Sequence, residues 1–234
     1  MAEEGNIVED LNPSKLGTKS YWDEVYDREK QNFSSNPEDE GIVWFEETNA
    51  ENRVMRYLED GLEIPEDSSF LDVGTGNGHL LFELRGTYTG GRMLGVDYSE
   101  KSIELAIDIA KERGLDGDVE FVCADVVRED PMKWAGEPFD VVLDKGTFDA
   151  ISLSDEVLED GRKPAEEYAE KIVQTVKLGK WFIITSCNWT EDELKRKFVG
   201  VRGLEYYGNV KYPSFTFGGK KGQAISSLCF RRSN

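Results

Sequence analysis

The sequence lacks the features that mark membrane-spanning, secreted and zinc-binding proteins. No apolar run approaches the roughly 20 residues needed to cross a bilayer, and the first ten residues, MAEEGNIVED, lack the basic and apolar regions of a secretory signal. One histidine (His79) and three cysteines far apart in sequence (Cys123, Cys187, Cys229) are too few for a four-ligand zinc site. We therefore expect a cytoplasmic protein without a metal ion, and nuclear residence stays open for so small a chain.

Basic residues are also scarce. The 234 residues include 28 Lys and Arg against 47 Asp and Glu, which gives a formal net charge of −19. Residues 1–160 carry 40 acidic and 14 basic residues, whereas residues 161–234 carry 7 acidic and 14 basic residues. Because nucleic-acid affinity depends largely on Lys and Arg contacts to phosphate, we do not expect a nucleic-acid partner. The composition suits a basic protein partner, although solubility alone would also explain it.

Strand and helix patterns alternate along most of the chain. Residues 1–15 are predicted to form a mobile acidic tail, residues 16–61 a helical cover, and residues 62–234 the sheet core of one domain. In the cover, helices are expected from Thr18 and from about residue 47, with a loop at 31–41. Seven strands are predicted, at 70–73, 92–96, 119–123, 139–143, 181–185, near 203–209 and at 224–230.

The order of these elements predicts the fold class. Helices are predicted after the first, second, fourth and fifth strands, whereas the last two strands are joined by a loop without a helix. This arrangement is typical of an α/β fold with one doubly wound, Rossmann-like, mostly parallel sheet that has an antiparallel strand near the C-terminus. Because no apolar helix stripe is left over for a partner copy, we expect a monomer.

A glycine-rich turn follows the first predicted strand, in the run Asp72-Val73-Gly74-Thr75-Gly76-Asn77-Gly78. Glycines let the backbone turn sharply and approach a ligand, and the helix beyond begins with unpaired N–H groups. A dinucleotide fingerprint would need its third glycine at position 79, where this chain has His79. The spacing D-x-G-x-G-x-G is instead the pattern of S-adenosylmethionine-dependent methyltransferases. A nicotinamide oxidoreductase and a purely structural glycine turn are the weaker alternatives.

The ends of the second and third predicted strands extend this candidate cofactor site. Asp97 stands where a carboxylate can accept hydrogen bonds from both ribose hydroxyls, and Asp125 stands where the adenine amino group needs an acceptor. The expected cofactor is S-adenosyl-L-methionine, with S-adenosyl-L-homocysteine as the product. The predicted cofactor-binding residues are Asp72, Gly74, Thr75, Gly76, Gly78, Asp97, Tyr98, Ala124, Asp125, Val126 and Asp144.

The segment after the fourth strand indicates the class of methyl acceptor. Enzymes that methylate planar amino groups commonly carry a [DNS]-P-P-[YFW] tetrad here, whereas this chain has Asp144-Lys145-Gly146-Thr147-Phe148-Asp149-Ala150. This run resembles the DKGT-[FL]-D-A signature of the seven-strand lysine methyltransferases. Further matches are Leu16-Gly17-Thr18, Val43-Trp44-Phe45, Ser186-Cys187-Asn188-Trp189 and Phe215-Thr216-Phe217-Gly218-Gly219. Over about residues 16–230, the chain resembles the methyltransferase-like protein 10 type of this family, which acts on translation elongation factor 1-alpha.

The resemblance implies transfer of methyl groups to one lysine ε-amine of elongation factor 1-alpha. Since only a neutral amine is nucleophilic, an aromatic slot that excludes water would favour the reactive form of lysine. We expect Trp44, Phe45, Phe148 and Trp189 to form this slot beside Asn188, although core packing explains such aromatics equally well. Asp144 is the candidate to orient the amine and accept its proton.

The two charged residues near Asp144 are not assigned to catalysis. Two alternative functions for the chain also stay open. Lys145 is interpreted as a solvated charge, and Asp149 as support for a loop. One alternative function is a methyltransferase of the same fold that acts on another protein or a small molecule. The other is a cofactor-binding scaffold without turnover, which the complete glycine motif and Asp144 disfavour.

Overall fold

The computed structural model describes residues 10–217 and 220–234, with side chains described outside residues 214–223. A central sheet of seven strands has the order β3-β2-β1-β4-β5-β9-β6, and β7 and β8 form a separate hairpin. The strands are β1 Phe70–Val73, β2 Met93–Asp97, β3 Glu120–Cys123, β4 Phe139–Lys145, β5 Val176–Ser186, β6 Leu204–Asn209, β7 Ser214–Phe217, β8 Lys220–Gln223 and β9 Ser226–Arg232.

The sheet is parallel from β3 to β5, and β9 lies antiparallel between β5 and β6. β1 and β2 are buried along their whole length, as the continuous apolar runs of a sheet covered on both faces require. The predicted α/β fold with an antiparallel strand near the C-terminus is therefore confirmed. The hairpin was not predicted, and Gly218 and Gly219 of the predicted loop lie outside the described residues.

Eight α-helices are found in the described part of the chain. They are α1 Lys19–Ser35, α2 Ala50–Arg56, α3 His79–Arg85, α4 Glu100–Glu112, α5 Pro131–Ala135, α6 Thr147–Ser152, α7 Pro164–Ile172 and α8 Glu191–Phe198. None of the helices in this part is long and apolar enough to cross a membrane. Ser99 caps α4 through its side chain, and a capping box of Thr190 and Glu193 opens α8.

Two features of the helical cover differ from the prediction. Residues 31–35 belong to α1 rather than to a loop, because Phe33 is buried in the core and the first strong turn residues are Asn36 and Pro37. The helix expected from about residue 47 is divided into a 3₁₀ turn, Glu46–Thr48, then α2, and then one π turn, Tyr57–Gly61. The divided segment reaches the sheet edge where the parallel strands end.

Residues 10–15 of the predicted tail contact the rest of the chain. The carboxylate of Asp10 pairs with Lys163 at 2.8 Å, and Leu11 packs against the apolar core. The Ser14 N–H donates to the Leu153 carbonyl at 3.1 Å. Residues 1–9 lie outside the described residues.

Candidate active site

A cavity of about 340 Å³ opens at the carboxyl ends of the parallel strands. Its wall includes Gly74 after β1, Asp97 at the end of β2, Ala124 after β3 and Lys145 at the end of β4. The volume lies within the range of about 300–1,000 Å³ found for small-molecule pockets, and this sheet edge is where open α/β folds bind ligands. The cavity is therefore the candidate active site.

The glycine turn leaves its backbone bare toward this cavity. Gly74 has φ +67° and Gly76 has φ +58°, a left-handed conformation that favours glycine. A Cβ at Gly74 would lie 1.9 Å from Thr147 Oγ1, and one at Gly76 would lie 2.6 Å from the Tyr26 hydroxyl. Gly74 lines the cavity, whereas Gly76, Gly78 and Thr75 shape the turn from behind it.

Asp97 presents a buried carboxylate to the cavity. Its Oδ1 accepts the Ser99 N–H at 2.9 Å and its Oδ2 accepts the Gly76 N–H at 3.1 Å. A carboxylate offers about four acceptor positions, so these two bonds leave room for a pair of ligand hydroxyls. Burial nevertheless raises the pKa of Asp97, and the two backbone N–H groups oppose this rise. The position and the free acceptor sites fit a ribose.

The segment after β3 lines the cavity next to Asp97. Tyr98, Ala124, Asp125 and Val126, all predicted to bind the cofactor, belong to the cavity wall. The Asp125 carboxylate accepts the N–H groups of Val127 and Arg128 at 2.9 and 3.0 Å, and the Arg128 guanidinium at 2.8 Å. Asp125 thus braces this loop with most of its hydrogen-bonding capacity.

Asp72 lies beneath the glycine turn rather than on the cavity wall. It is 3% exposed, and its Oδ2 accepts the Thr75 hydroxyl at 2.9 Å. Burial raises the pKa of Asp72 to about 7, against the opposing effect of the Lys145 ammonium. Asp72 and Thr75 therefore hold the shape of the turn.

The structure corrects the direct catalytic role predicted for Asp144. Its carboxylate is 2% exposed and is absent from the cavity wall. It accepts the Thr147 N–H at 2.9 Å, the Phe148 N–H at 3.1 Å and the Tyr168 hydroxyl at 2.5 Å. Burial raises the pKa of Asp144 to about 7. Asp144 fixes the start of α6, and its carboxylate lies outside the wall of the cavity that would admit an amine.

Two of the four predicted slot aromatics line the cavity, and two do not. Trp44 is in the wall with Trp22 packed edge-on at 5.3 Å, and Phe45 lies beside it. Phe148 and Trp189 are instead 2% and 4% exposed within the core, with their ring centroids 6.1 Å apart. Trp189, predicted to belong to the acceptor slot, therefore lies outside the cavity wall and packs in the core before α8. Asn188 lines the cavity as predicted.

Asp149 and Lys145 also face the cavity. Asp149 accepts the Ser186 hydroxyl at 2.5 Å and the Cys187 N–H at 2.8 Å, so it supports the loop after β5, as predicted. Lys145 is not a solvated charge: its side chain is 17% exposed, its Nζ lies 3.4 Å from Glu51 Oε1, and it donates to the Trp44 carbonyl at 3.3 Å. The buried partner Glu51 is remote in sequence, which explains the error.

Sequence reasoning did not assign the wall formed by α1 and the segment before it. Leu16, Gly17, Trp22 and Tyr26 line the cavity, and the i, i+4 spacing of Trp22 and Tyr26 makes them an apolar stripe on one face of α1. The Trp22 indole N–H donates to the Leu16 carbonyl at 2.8 Å, which ties the helix to the preceding turn. The spacing of these aromatics indicates a helix face that contacts something, but which surface it contacts depends on how α1 docks.

Comparison with known proteins identifies the family. The profile of the family described as Methyltransferase domain matches residues 64–211. Protein-lysine N-methyltransferase EFM4 of Saccharomyces cerevisiae is 43% identical over 228 residues, which cover 96% of this chain and 98% of the relative. The chain belongs to the protein-lysine N-methyltransferases. EEF1A lysine methyltransferase 2 of Homo sapiens is 37% identical over 220 residues, covering 94% of the methyltransferase described here and 88% of the human protein.

Solved structures support the fold of this methyltransferase. N-methyltransferase NodS from Bradyrhizobium japonicum, in complex with S-adenosyl-L-homocysteine, has a TM-score of 0.59 at 12% identity, covering 91% of this chain and 99% of that chain. Magnesium protoporphyrin IX methyltransferase from Synechocystis, with S-adenosylmethionine bound, has a TM-score of 0.58 at 17% identity, covering 89% and 97%. In the described part of the methyltransferase, no group of three or more His, Cys, Asp or Glu side chains is arranged to hold a metal ion.

Proposed function

We propose that this methyltransferase transfers methyl groups from S-adenosyl-L-methionine to a lysine ε-amine of translation elongation factor 1-alpha. The observation that carries the proposal is the likeness, over nearly the whole chain, to proteins named EFM4 and EEF1A lysine methyltransferase 2. The cavity supports it, because strand-end residues suited to a nucleoside form one part of the wall and aromatic side chains form another.

The residues of the cavity wall support a binding arrangement for the cofactor. The bare Gly74 backbone would face the methionine portion, Asp97 would accept the ribose hydroxyls, and Ala124 and Val126 would flank the adenine. Asp125 would accept the adenine amino group with its remaining lone pair. When bound, the cofactor supplies a sulfonium methyl group that is already activated, so the protein needs mainly to align the acceptor.

Residues of the cavity wall would favour the neutral, reactive form of the acceptor lysine. An ordinary lysine pKa near 10.4 leaves about one amine in a thousand neutral at physiological pH, and removal from water favours the neutral form. Trp44, Phe45 and Tyr26 would exclude water around the amine, while the amide of Asn188 would orient it. With Asp144 outside the cavity wall, the lysine ammonium would lose its proton to bulk water as it enters, and desolvation by these aromatic side chains would favour the neutral amine that remains.

The partner and the setting belong to the same proposal. A net charge of −19 suits a basic protein substrate and disfavours nucleic acid. We propose that the methyltransferase acts as a monomer in the cytoplasm, without a metal ion and away from membranes.

Mass spectrometry would test the function directly. Purified elongation factor 1-alpha is incubated with the methyltransferase and isotopically labelled S-adenosylmethionine, with the Asp97→Ala variant as the inactive control. We expect one lysine to gain label with the wild type and none with the variant. If elongation factor stays unlabelled while S-adenosylhomocysteine still binds, the substrate assignment fails. Labelled whole-cell extract then separates a different substrate from a scaffold without turnover.

A further inference from the structure

A buried carboxylate lies next to the active site but outside its wall. Glu51, in the first turn of α2, has a side chain that is 10% exposed. Its Oε2 lies 2.7 Å from His79 Nδ1, whereas its Oε1 is buried and accepts no hydrogen bond from the described residues. Burying a charged carboxylate is costly, and apolar neighbours such as Val54 and Leu80 do not offset that cost, so charged partners must. The carboxylate therefore needs an explanation beyond packing.

The unbonded oxygen is directed at the active-site lysine. Glu51 Oε1 lies 3.4 Å from Lys145 Nζ, and no other cation is paired with this oxygen in the described part of the chain. The Lys145 ammonium donates in turn to the carbonyl of Trp44 at 3.3 Å. A continuous path thus runs from His79 through Glu51 and Lys145 to the backbone of the aromatic wall.

The aromatic wall is strained at the point that this path reaches. Phe45 has φ +66°, in the left-handed region that bulky residues rarely adopt. Its ring lies against the DKGT turn, since a Cβ at Gly146 would be 3.3 Å from Phe45 Cζ. The Phe45 carbonyl accepts the Thr48 hydroxyl at 2.7 Å, which holds the strained residue from its far side. Lys145 holds the other side through the carbonyl of Trp44.

We propose that Glu51 is a positioning residue for methyl transfer, which acts through Lys145 to hold the Trp44–Phe45 wall against the acceptor lysine. This inference rests on the proposed function. The carboxylate fixes the ammonium by charge, and the ammonium fixes the Trp44 carbonyl by a hydrogen bond. Misplacement of a positioning wall by about 1 Å can cost on the order of 100-fold in rate.

His79 orients the carboxylate of Glu51 toward Lys145. Its Nδ1 lies against Oε2, which turns Oε1 toward Lys145, and its Nε2 lies 3.8 Å from Glu83. The hydrogen bond to Glu51 raises the pKa of His79, against the effect of burial. Burial would raise the pKa of Glu51, but His79 and Lys145 together bring it below its usual value. Both shifts favour the charged pair.

Glu51→Gln tests the charge while keeping the shape of the side chain. Glu59→Gln, in the exposed π turn that follows α2, is the matched control. We expect kcat for lysine methylation to fall at least tenfold in Glu51→Gln and to stay within twofold in Glu59→Gln. The affinity for S-adenosylhomocysteine, measured by calorimetry, should stay within twofold in both variants. Unchanged kcat, or a matching loss of cofactor affinity, overturns the proposal.

A double-mutant cycle separates positioning from a general structural role. If Glu51 acts through Lys145, the double variant Glu51→Gln/Lys145→Met should be no slower than Lys145→Met alone. Independent losses that multiply would show that Glu51 acts by another route.

A spectroscopic readout works without turnover and so distinguishes this proposal from the proposed function. In protein labelled with 5-fluorotryptophan, Glu51→Gln should shift or broaden the Trp44 ¹⁹F resonance, assigned with Trp44→Phe, and leave the resonance of Trp134 in place. An unmoved Trp44 resonance overturns the positioning role even if methylation is lost. A moved resonance in an enzyme that labels no lysine would instead count against the proposed function alone.

Discussion

Asp97 at the end of β2 and Asp144 near the end of β4 are both buried carboxylates, yet their hydrogen bonds give them different roles. Asp97 uses two acceptor positions on backbone N–H groups and presents the remainder to the cavity. Asp144 accepts two backbone N–H groups and a tyrosine hydroxyl and does not reach the cavity wall. Substitution of Asp97 should therefore change cofactor affinity, whereas substitution of Asp144 should first change the free energy of unfolding.

Asp97→Ala should abolish tight cofactor binding. Two hydrogen bonds to a charged acceptor contribute about 3–5 kcal/mol together, so the Kd for S-adenosylhomocysteine should rise at least about 100-fold. Calorimetric titration measures this, with Asp108→Ala on α4, away from the cavity wall, as the control. Unchanged affinity in Asp97→Ala would contradict the ribose assignment.

Asp144→Ala should act on stability first. Loss of the carboxylate strands the N–H groups at the start of α6 and the Tyr168 hydroxyl, at a cost of about 2–4 kcal/mol in the free energy of unfolding. Urea denaturation of Asp144→Ala and Asp144→Asn checks this, and the amide should lose less because it keeps an acceptor oxygen. Full stability combined with lost turnover would restore the catalytic role that the sequence suggested.

The raised pKa of Asp72, about 7 in the folded protein against 3.8 ordinarily, makes stability depend on pH. Because the folded state holds this proton more tightly than the unfolded state, the stabilisation is complete below pH 4 and is lost as the pH rises through 7. Asp144, with its pKa also raised to about 7, acts in the same direction.

The melting temperature should therefore fall between pH 5 and pH 8, and Asp72→Asn should flatten this dependence. Scanning calorimetry across this range, with Asp116→Asn as an exposed control, measures the effect. A wild-type melting temperature that rises toward pH 8 would refute the assignment.

At the scale of elements, the segment of residues 10–18, here called the strap, closes one side of the cavity. Leu16 and Gly17 belong to the cavity wall, and Ser14 and Leu11 fasten the strap to the chain. Gly17 lies flat on the segment after α6, since a Cβ there would be 2.2 Å from the Leu153 carbonyl oxygen. The close approach is what requires glycine.

Gly17→Ala should lift the strap and weaken cofactor binding by about tenfold through faster dissociation. Stopped-flow measurement of S-adenosylhomocysteine release tests this. Gly86→Ala, at the end of α3 in a helical conformation with a Cβ contact of 3.3 Å, serves as the control. Equal release rates in the two variants would show that the strap does not hold the cofactor.

At the scale of the whole molecule, charge governs the encounter with the substrate. A net charge of −19 attracts a basic protein over distances set by the ionic strength, about 10 Å at 0.1 M salt. The value of kcat/KM for elongation factor 1-alpha should therefore fall several-fold between 50 and 500 mM NaCl, while kcat changes little. Steady-state kinetics at both NaCl concentrations check this. A kcat/KM that does not depend on salt would show that electrostatic steering does not contribute.

Much of the fold followed from local pattern. The alternation of strands and helices, the capping residues Ser99 and Thr190, and the glycine turn each act within a few residues of chain, so sequence alone was sufficient for them. The hairpin of β7 and β8 and the short helices α5 and α6 were missed. Their sequences are too short to carry a clear hydrophobic period.

Local sequence patterns were enough to predict the sheet, the family and the strand-end residues of the cavity wall, because strands and a glycine turn depend on neighbouring residues. The docking of elements in the tertiary structure set which of the candidate acceptor residues reach the cavity wall. Trp44 reaches the wall while Trp189 enters the core, and Asp144 turns inward while Lys145 meets Glu51. These outcomes depend on how segments distant in sequence dock, and the burial or exposure of one side chain on a docked element is not written in its local pattern.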